Sequence, residues 1–321
     1  MSVLITGGTG YIGSHLARLL LASGEGKVIL FDTLVNPEAV ADIAHRVEVV
    51  QGSINDTFLL LQVLRDNAVD CVFHLGAVLL YPEINTDAIV HANVLGTYQV
   101  FEAARLAGVE RVLWATSIAV HGLRDTGPTL ELVDGDNLCP RPDTFYGVSK
   151  LFGEHIAGIL GQRHDISLVA LRLPSIYGLG RATRRGISGG SWDLYAALVE
   201  QAAAGGTLVT PPADHLLKWC YVKDCVAAFL HLYRVPRERL TRNIYDVPGD
   251  IRPVAEAVDF LRRRCPRATF SFGEAPSRQP PFFSARPLVE ELGFKSAWTM
   301  EQGMVDYIEM LGAPPQAGSR G

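Results

Sequence analysis

Six short runs rich in apolar and β-branched residues punctuate the first half of the chain: VLIT (3–6), KVILFD (27–32), VEVVQG (47–52), CVFHLG (71–76), RVLWATS (111–117) and SLVALRL (167–173). A strand with one face in water alternates apolar and polar residues, whereas a near-continuous apolar run belongs to a strand covered on both faces. Longer helical patterns lie between them. These are YIGSHLARLLLASG, closed by Gly24; NDTFLLLQVLRDN; DAIVHANVLGTYQVFEAARLAG, closed by Gly108; and DTFYGVSKLFGEHIAGILGQ. Asn55 or Asp56, and Asp143 or Thr144, read as N-caps. This alternation specifies an α/β fold, a doubly wound parallel sheet with helices on both faces. Ligands of such sheets bind at the C-terminal ends of the strands.

After Leu173 the rhythm breaks. PSIYGLGRATRRGISGGS, rich in glycine and arginine, reads as a mobile loop. Helical and strand fragments follow: WDLYAALVEQAAAGG, TLVTPP, YVKDCVAAFLHLYRV, NIYDVPG, PVAEAVDFLRRRC, ATFSFG and LVEELGF with MEQGMVDYIEML. They are expected to form a smaller mixed α/β substrate-binding domain (176–216 and 249–321), interleaved with a large nucleotide-binding domain (1–175 and 217–248). The tail from Gly312, GAPPQAGSRG, has the small-residue and Pro/Gly composition of a frayed terminus.

A net charge of −5 argues against a dedicated nucleic-acid or anionic-membrane binder, and the basic runs Arg181–Arg185 and Arg262–Arg264 read as solvated surface. The five cysteines, Cys71, Cys139, Cys220, Cys225 and Cys265, include no CxxC pair, and the nine histidines include no HxxxH or HExxH. Neither a disulfide framework nor a protein-held metal is expected. MSVLIT runs directly into a glycine turn, so no signal peptide is read. No apolar run reaches the roughly 18–20 residues of a membrane span. These features together describe a soluble, reduced, cytoplasmic protein.

Strand VLIT is followed by GGTGYIG (7–13) and then a helix. Gly8, Gly10 and Gly13 fit GxGxxG, and Gly7, Gly10 and Gly13 equally fit GxxGxxG. Glycines let the backbone approach a pyrophosphate, and the helix N-terminus supplies free N–H groups and a positive dipole end. Asp32 ends the next strand, where a carboxylate accepts both ribose hydroxyls and repels a 2′-phosphate. The expected cofactor is NAD rather than NADP.

At the opposite end of the expected cleft, RVLWATS ends in Ser117, and YGVSK places Tyr146 and Lys150 one helical turn apart. Singly, these are a turn residue and an amphipathic pair. After a dinucleotide motif they form a coherent device. Hydride leaves a carbon only if the attached hydroxyl also loses its proton. A phenol, with a pKa near ~10, becomes a working base when a lysine ammonium stands beside it. Ser117 would then hold the substrate oxygen.

GGTGYIG, TSIAVHG, YGVSK, NVLGT (93–97) and YVKD (221–224) together resemble the extended short-chain dehydrogenase/reductase family, the NAD-dependent sugar epimerases and dehydratases. The resemblance spans nearly the whole chain. It implies a Rossmann domain with bound NAD, catalysis by Ser117, Tyr146 and Lys150, and a homodimer that pairs the long helix with the YxxxK helix. It also places Tyr11, Ile12, Asn36, Ser53, Ile54, Leu75, Gly76, Ala77, Asn93 and Pro174 around the cofactor, with Tyr146 and Lys150 reaching it from the substrate side.

This chain departs from the family pattern at several points. Ser53 stands where an acidic residue often contacts adenine. Ala119 and His121 replace a frequent hydroxyl or acidic residue and a tyrosine. Ile118 and Ala119 offer no acid or base for dehydration. Ser175 replaces a substrate-binding Asn. Leu217–Lys218 replaces an Arg–Asp pair whose Arg grips the diphosphate of nucleotide sugars, and Lys218 lacks that bidentate fork. The expected substrate residues are Ser117, Ser175, Arg185, Lys218 and Arg278, with Arg181 and Arg184 nearby. The leading expectation is a redox-neutral epimerase acting on a sugar or sugar nucleotide. The alternative is a net dehydrogenase of a sugar acid or small hydroxy acid, and a noncatalytic NAD-sensing scaffold is the third reading.

Overall fold

The computed structural model describes residues 1–79, 85–123, 132–133, 138–180, 191–274 and 281–312. The first half runs β1 (Ser2–Thr6), α1 (Tyr11–Ala22), β2 (Lys27–Asp32), β3 (Glu48–Gln51), α2 (Thr57–Asp66), β4 (Cys71–His74), α3 (Thr86–Ile89), α4 (Thr97–Ala107) and β5 (Arg111–Ser117). There follow β6 (Leu132–Val133), α5 (Phe145–Arg163), β7 (Ser167–Leu173), β8 (Ile176–Tyr177), α6 (Ser191–Ala204), β9 (Thr207–Thr210) and β10 (Leu216–Tyr221). The last part comprises α7 (Val222–Arg234), β11 (Ile244–Asp246), β12 (Asp250–Pro253), α8 (Val254–Arg264), β13 (Thr269–Phe272), β14 (Phe282–Phe283) and α9 (Met300–Gly312).

Seven strands form one sheet in the order β11-β7-β5-β4-β1-β2-β3, and every pairing in it is parallel. This is the doubly wound Rossmann-type arrangement expected from the strand–helix rhythm. Alternate residues of each inner strand enter opposite cores. Val3 and Ile5 join one apolar cluster with α1 and α7, while Leu4 joins the other with α2 and α4. Val28 and Leu30 divide from Ile29 and Phe31 in the same way. Burial on both faces is what removed the polar alternation from the sequence. β3, at the edge, is only half-buried.

β10 pairs with β8 and β12 in a separate three-stranded sheet, while β9 pairs with β13 and β6 with β14. β10 is absent from the strands expected from the sequence. α7 returns to pack on α1, and β11 extends the large sheet beside β7.

The region expected as one long helix before Gly108 is built differently. A π-helical stretch, Val90–Gly96, joins α3 to α4. The wider turn lets Asn93 reach inward, where its Oδ1 accepts the Val78 N–H at 2.8 Å and its Nδ2 donates to the Val78 carbonyl at 2.8 Å. Gly96 fits because a Cβ there would lie 2.6 Å from Ile54 Cδ1.

α5 starts where Thr144 Oγ1 accepts the Gly147 N–H at 3.0 Å. Asp56 caps α2 by accepting the Leu59 N–H at 3.0 Å, and Gly108 closes α4 at φ +77°. Thr144→Ala removes the cap and is expected to lower stability by about 1 kcal/mol in urea unfolding, with an unchanged m-value.

Candidate active site

The strand order reverses between β1 and β4, and the turns leaving these strands meet there. Gly7 has φ +66°, and a Cβ on it would lie 2.9 Å from the Gly76 backbone. Its N–H donates to the Phe31 carbonyl at 2.9 Å, while Gly10 donates to the Gly7 carbonyl at 3.0 Å. A Cβ at Gly13 would lie 2.2 Å from that same carbonyl oxygen, so only glycine lets α1 pack against the turn. Gly10 caps α1 without a side-chain bond, which leaves the first-turn N–H groups for an anion.

Asp32 is held rigidly at the end of β2. Its Oδ2 accepts the Thr9 N–H at 3.1 Å and the Thr9 hydroxyl at 2.8 Å, and its Oδ1 accepts the Leu34 N–H at 3.3 Å. Thr9 Oγ1 in turn accepts the Asn36 N–H at 3.1 Å. The sequence reading missed Thr9, whose only signal is its place inside GGTGYIG.

A second residue missed is His74, buried at the end of β4. The Thr6 hydroxyl accepts the Gly76 N–H at 3.2 Å and shares a hydrogen bond with His74 Nδ1 at 2.7 Å. His74 Nε2 shares another with Thr97 Oγ1 at 3.1 Å. Burial, reinforced by Lys150, pushes this imidazole down to about 3, so it is neutral. It ties β1, β4 and α4 together beneath the glycine turn.

Ser117 ends β5 almost fully buried, with its Oγ accepting the Ala119 N–H at 3.2 Å. Gly147 brings α5 against this turn, since a Cβ there would lie 2.4 Å from the Ala119 carbonyl oxygen. Tyr146 therefore starts the helix beside the strand end. Lys150 is buried, donates to the Ala115 carbonyl at 2.9 Å, and holds its Nζ 5.6 Å from the centre of the Tyr146 ring. Burial lowers its ammonium to about 8, and the Glu154 carboxylate opposes that fall. Ser149 donates to the Tyr146 carbonyl at 2.7 Å and accepts from Asn93 Nδ2 at 3.3 Å, locking the first turn.

One cleft of about 2250 Å³ is lined by Gly7, Gly10, Tyr11, Ile12, Gly13, Asp32, Asn36, Ser53, Ile54, Leu75, Gly76, Ala77, Ser117, Tyr146, Lys150 and Pro174. Asn93 stands behind the wall and holds Val78. Ser175 and Lys218 are buried away from the lining, and Lys218 Nζ donates to the Phe283 carbonyl at 3.2 Å. Arg181, Arg184, Arg185 and Arg278 lie outside the described residues. Among the described residues no group of His, Cys, Asp and Glu is arranged to hold a metal, and no helix is long and apolar enough to cross a membrane.

The glycine cradle, the uncapped α1 N-terminus and the Thr9-braced Asp32 carboxylate fit the diphosphate and ribose of NAD. Asp32→Ala should weaken NADH binding on the order of 10- to 100-fold, as expected for lost charge-assisted hydrogen bonds. Fluorescence titration of NADH measures this, and Thr9→Ala should show a smaller loss.

The family model described as the NAD dependent epimerase/dehydratase family matches residues 3–247. The chain is 27% identical to a UDP-glucose 4-epimerase of Azospirillum brasilense, over 99% of this chain and 97% of that one. A D-erythronate dehydrogenase of Cupriavidus necator is 31% identical over 82% of each chain. Among solved structures, MoeE5 in complex with UDP-glucuronic acid and NAD superposes with a TM-score of 0.78 at 27% identity, covering 97% of this chain and 99% of that one. With its parallel sheet, glycine cradle and YxxxK helix, the chain belongs to the NAD-dependent epimerase/dehydratase family of extended short-chain dehydrogenase/reductase enzymes.

Proposed function

We propose that this enzyme oxidises a secondary alcohol of a sugar-type acid that carries no nucleoside diphosphate, and that it releases NADH. The observation that carries this reading is Leu217. It occupies the position of the diphosphate-gripping arginine in the family resemblance, yet its side chain is 3% exposed and packed in the apolar core. Its neighbour Lys218 points its ammonium at the Phe283 carbonyl rather than into the cleft. Of the described Lys and Arg side chains lining the cleft, Arg18 pairs with Asp42, Lys223 pairs with Asp306, Lys150 lies beside Tyr146, and Lys295 is exposed. Ser53 in place of an adenine-binding carboxylate suits a cofactor that exchanges. The D-erythronate dehydrogenase relative supports a polyhydroxy acid as substrate class.

NAD, when bound, supplies the hydride acceptor. Tyr146, as phenolate, takes the hydroxyl proton, and the Lys150 ammonium beside it favours that ionised form. Ser117 donates a hydrogen bond to the substrate oxygen and orients the carbon. Asp32, fixed by Thr9, holds the adenosine ribose. In this reading residues 1–175 and 217–248 bind the nucleotide, and 176–216 with 249–321 bind the substrate through Arg185 and Arg278.

A second reading, redox-neutral epimerisation of a sugar nucleotide, is favoured by the near full-length match to the Azospirillum brasilense epimerase and to MoeE5. Incubation with NAD and D-erythronate or related short sugar acids should accumulate NADH in step with substrate consumed. Conversion of UDP-glucose or UDP-glucuronic acid without NADH, by protein that releases NAD on denaturation, would replace the first reading with the second. Tyr146→Phe should cut turnover by at least ~100-fold on either substrate.

The same proposal includes a homodimer. Tyr98 and Leu106 on α4, with Val148 and Ile159 on α5, are exposed apolar side chains on the two helices expected to pair. Sedimentation should give twice the chain mass, and Val148→Asp with Ile159→Asp should give the monomer.

A further inference from the structure

Glu154 lies one turn beyond Lys150 on α5, and its side chain is 5% exposed. Its Oε1 accepts the Thr116 hydroxyl at 2.8 Å and Arg172 Nε at 3.2 Å, and its Oε2 accepts Arg172 Nη2 at 2.8 Å. Arg172, on β7, is equally buried and lies 3.7 Å from Asp246 on β11. The Asp246 carboxylate in turn opposes the fall that burial imposes on the Lys218 ammonium of β10. Charges therefore alternate through the interior, from Lys150 through Glu154, Arg172 and Asp246 to Lys218. Desolvating such groups is costly, and nothing in the catalytic roles of Ser117, Tyr146 and Lys150 uses them.

We propose that Glu154 and Arg172 are an opposed pair of positioning residues, which keep Lys150 charged inside the protein while Arg172 limits the field of Glu154. The proposal rests on the reading of Tyr146 and Lys150 as the proton-transfer pair. Lys150 makes its own hydrogen bond to a neutral carbonyl, so its ammonium has no bonded counter-charge on that side. Among the described groups around α5, His74 on β4 is held neutral by burial, and Tyr146 is the lysine's ring neighbour. His121, after β5, stacks on Phe283 with ring centres 4.4 Å apart. Asp87, His91 and Tyr98 on the α3–α4 side are exposed, and Glu102 pairs with Arg105. Glu154 is therefore the buried anion beside Lys150, and Thr116, next to Ser117, fixes where that carboxylate sits.

The signs of the two deletions differ. Removing the Glu154 charge leaves Arg172 repelling Lys150, so the lysine gives up its proton at lower pH. Removing the Arg172 charge leaves Glu154 less neutralised, so the lysine keeps its proton to higher pH.

The chain has only five lysines, Lys27, Lys150, Lys218, Lys223 and Lys295, so each ¹³Cε resonance of lysine-labelled protein can be followed against pH and Lys150 assigned with Lys150→Arg. In the wild type Lys150 should titrate near about 8. Glu154→Gln should move that titration down, and Arg172→Gln should move it up, each by roughly one pH unit. Glu154→Gln with Arg172→Gln together should return it near the wild-type position, and Arg172→Lys should leave it there. Titrations that stay put, or move in the same direction, while only thermal stability falls would overturn the proposal and leave the pair a structural bridge. Because the NMR readout needs no substrate, a fully active Tyr146→Phe would sink the catalytic reading separately.

Discussion

β1 lies between β2 and β4, and that single placement organises the rest of the molecule. It brings the glycine turn after β1 against Leu75 and Gly76 after β4, at a backbone distance that admits no side chain on Gly7. The opening between the two turns is the floor of the cleft. Asp32 on β2 and Ser117 on β5 then flank β1 and β4 in a single row of strand termini. A parallel sheet makes this possible because all its C-terminal ends share one edge.

The same arrangement explains why so many polar groups sit in the interior. His74, Thr6 and Thr97 satisfy one another beneath the glycine turn, and Asn93 satisfies both backbone groups of Val78. A buried polar group without a partner is costly, so each of these residues both stabilises the cleft wall and fixes its position. The buried Glu154–Arg172 pair extends this principle to charge. It joins α5 to β7, and in the proposal above its field acts on Lys150 through protein rather than water.

Much of the site was legible from local pattern. The six apolar runs became strands, and Gly7 to Gly13, Asp32, Ser117, Tyr146 and Lys150 all came to one cleft. These positions are readable because each sits at a strand end or within a turn of a helix start, where sequence offset and spatial offset coincide. Thr9, His74 and Glu154 were not legible. Their roles depend on partners between 23 and 68 positions away, such as Asp32, Thr6 and Thr116, and no local motif reports such pairings. The π-helical stretch was hidden for a related reason, since the inward reach of Asn93 to Val78 is a tertiary contact.

The sequence by itself determined the parallel fold, the dinucleotide turn and the spacing of Tyr146 and Lys150 one helical turn apart, because these follow from short-range spacing and burial on both sheet faces. Only the tertiary structure decided where Leu217 and Lys218 point. Adjacent strand residues face opposite ways, and which way faces the cleft depends on how β10 is seated between β8 and β12. That seating turns Leu217 into the core and Lys218 toward Phe283, so neither side chain of the pair that replaces the family's Arg–Asp enters the cleft lining.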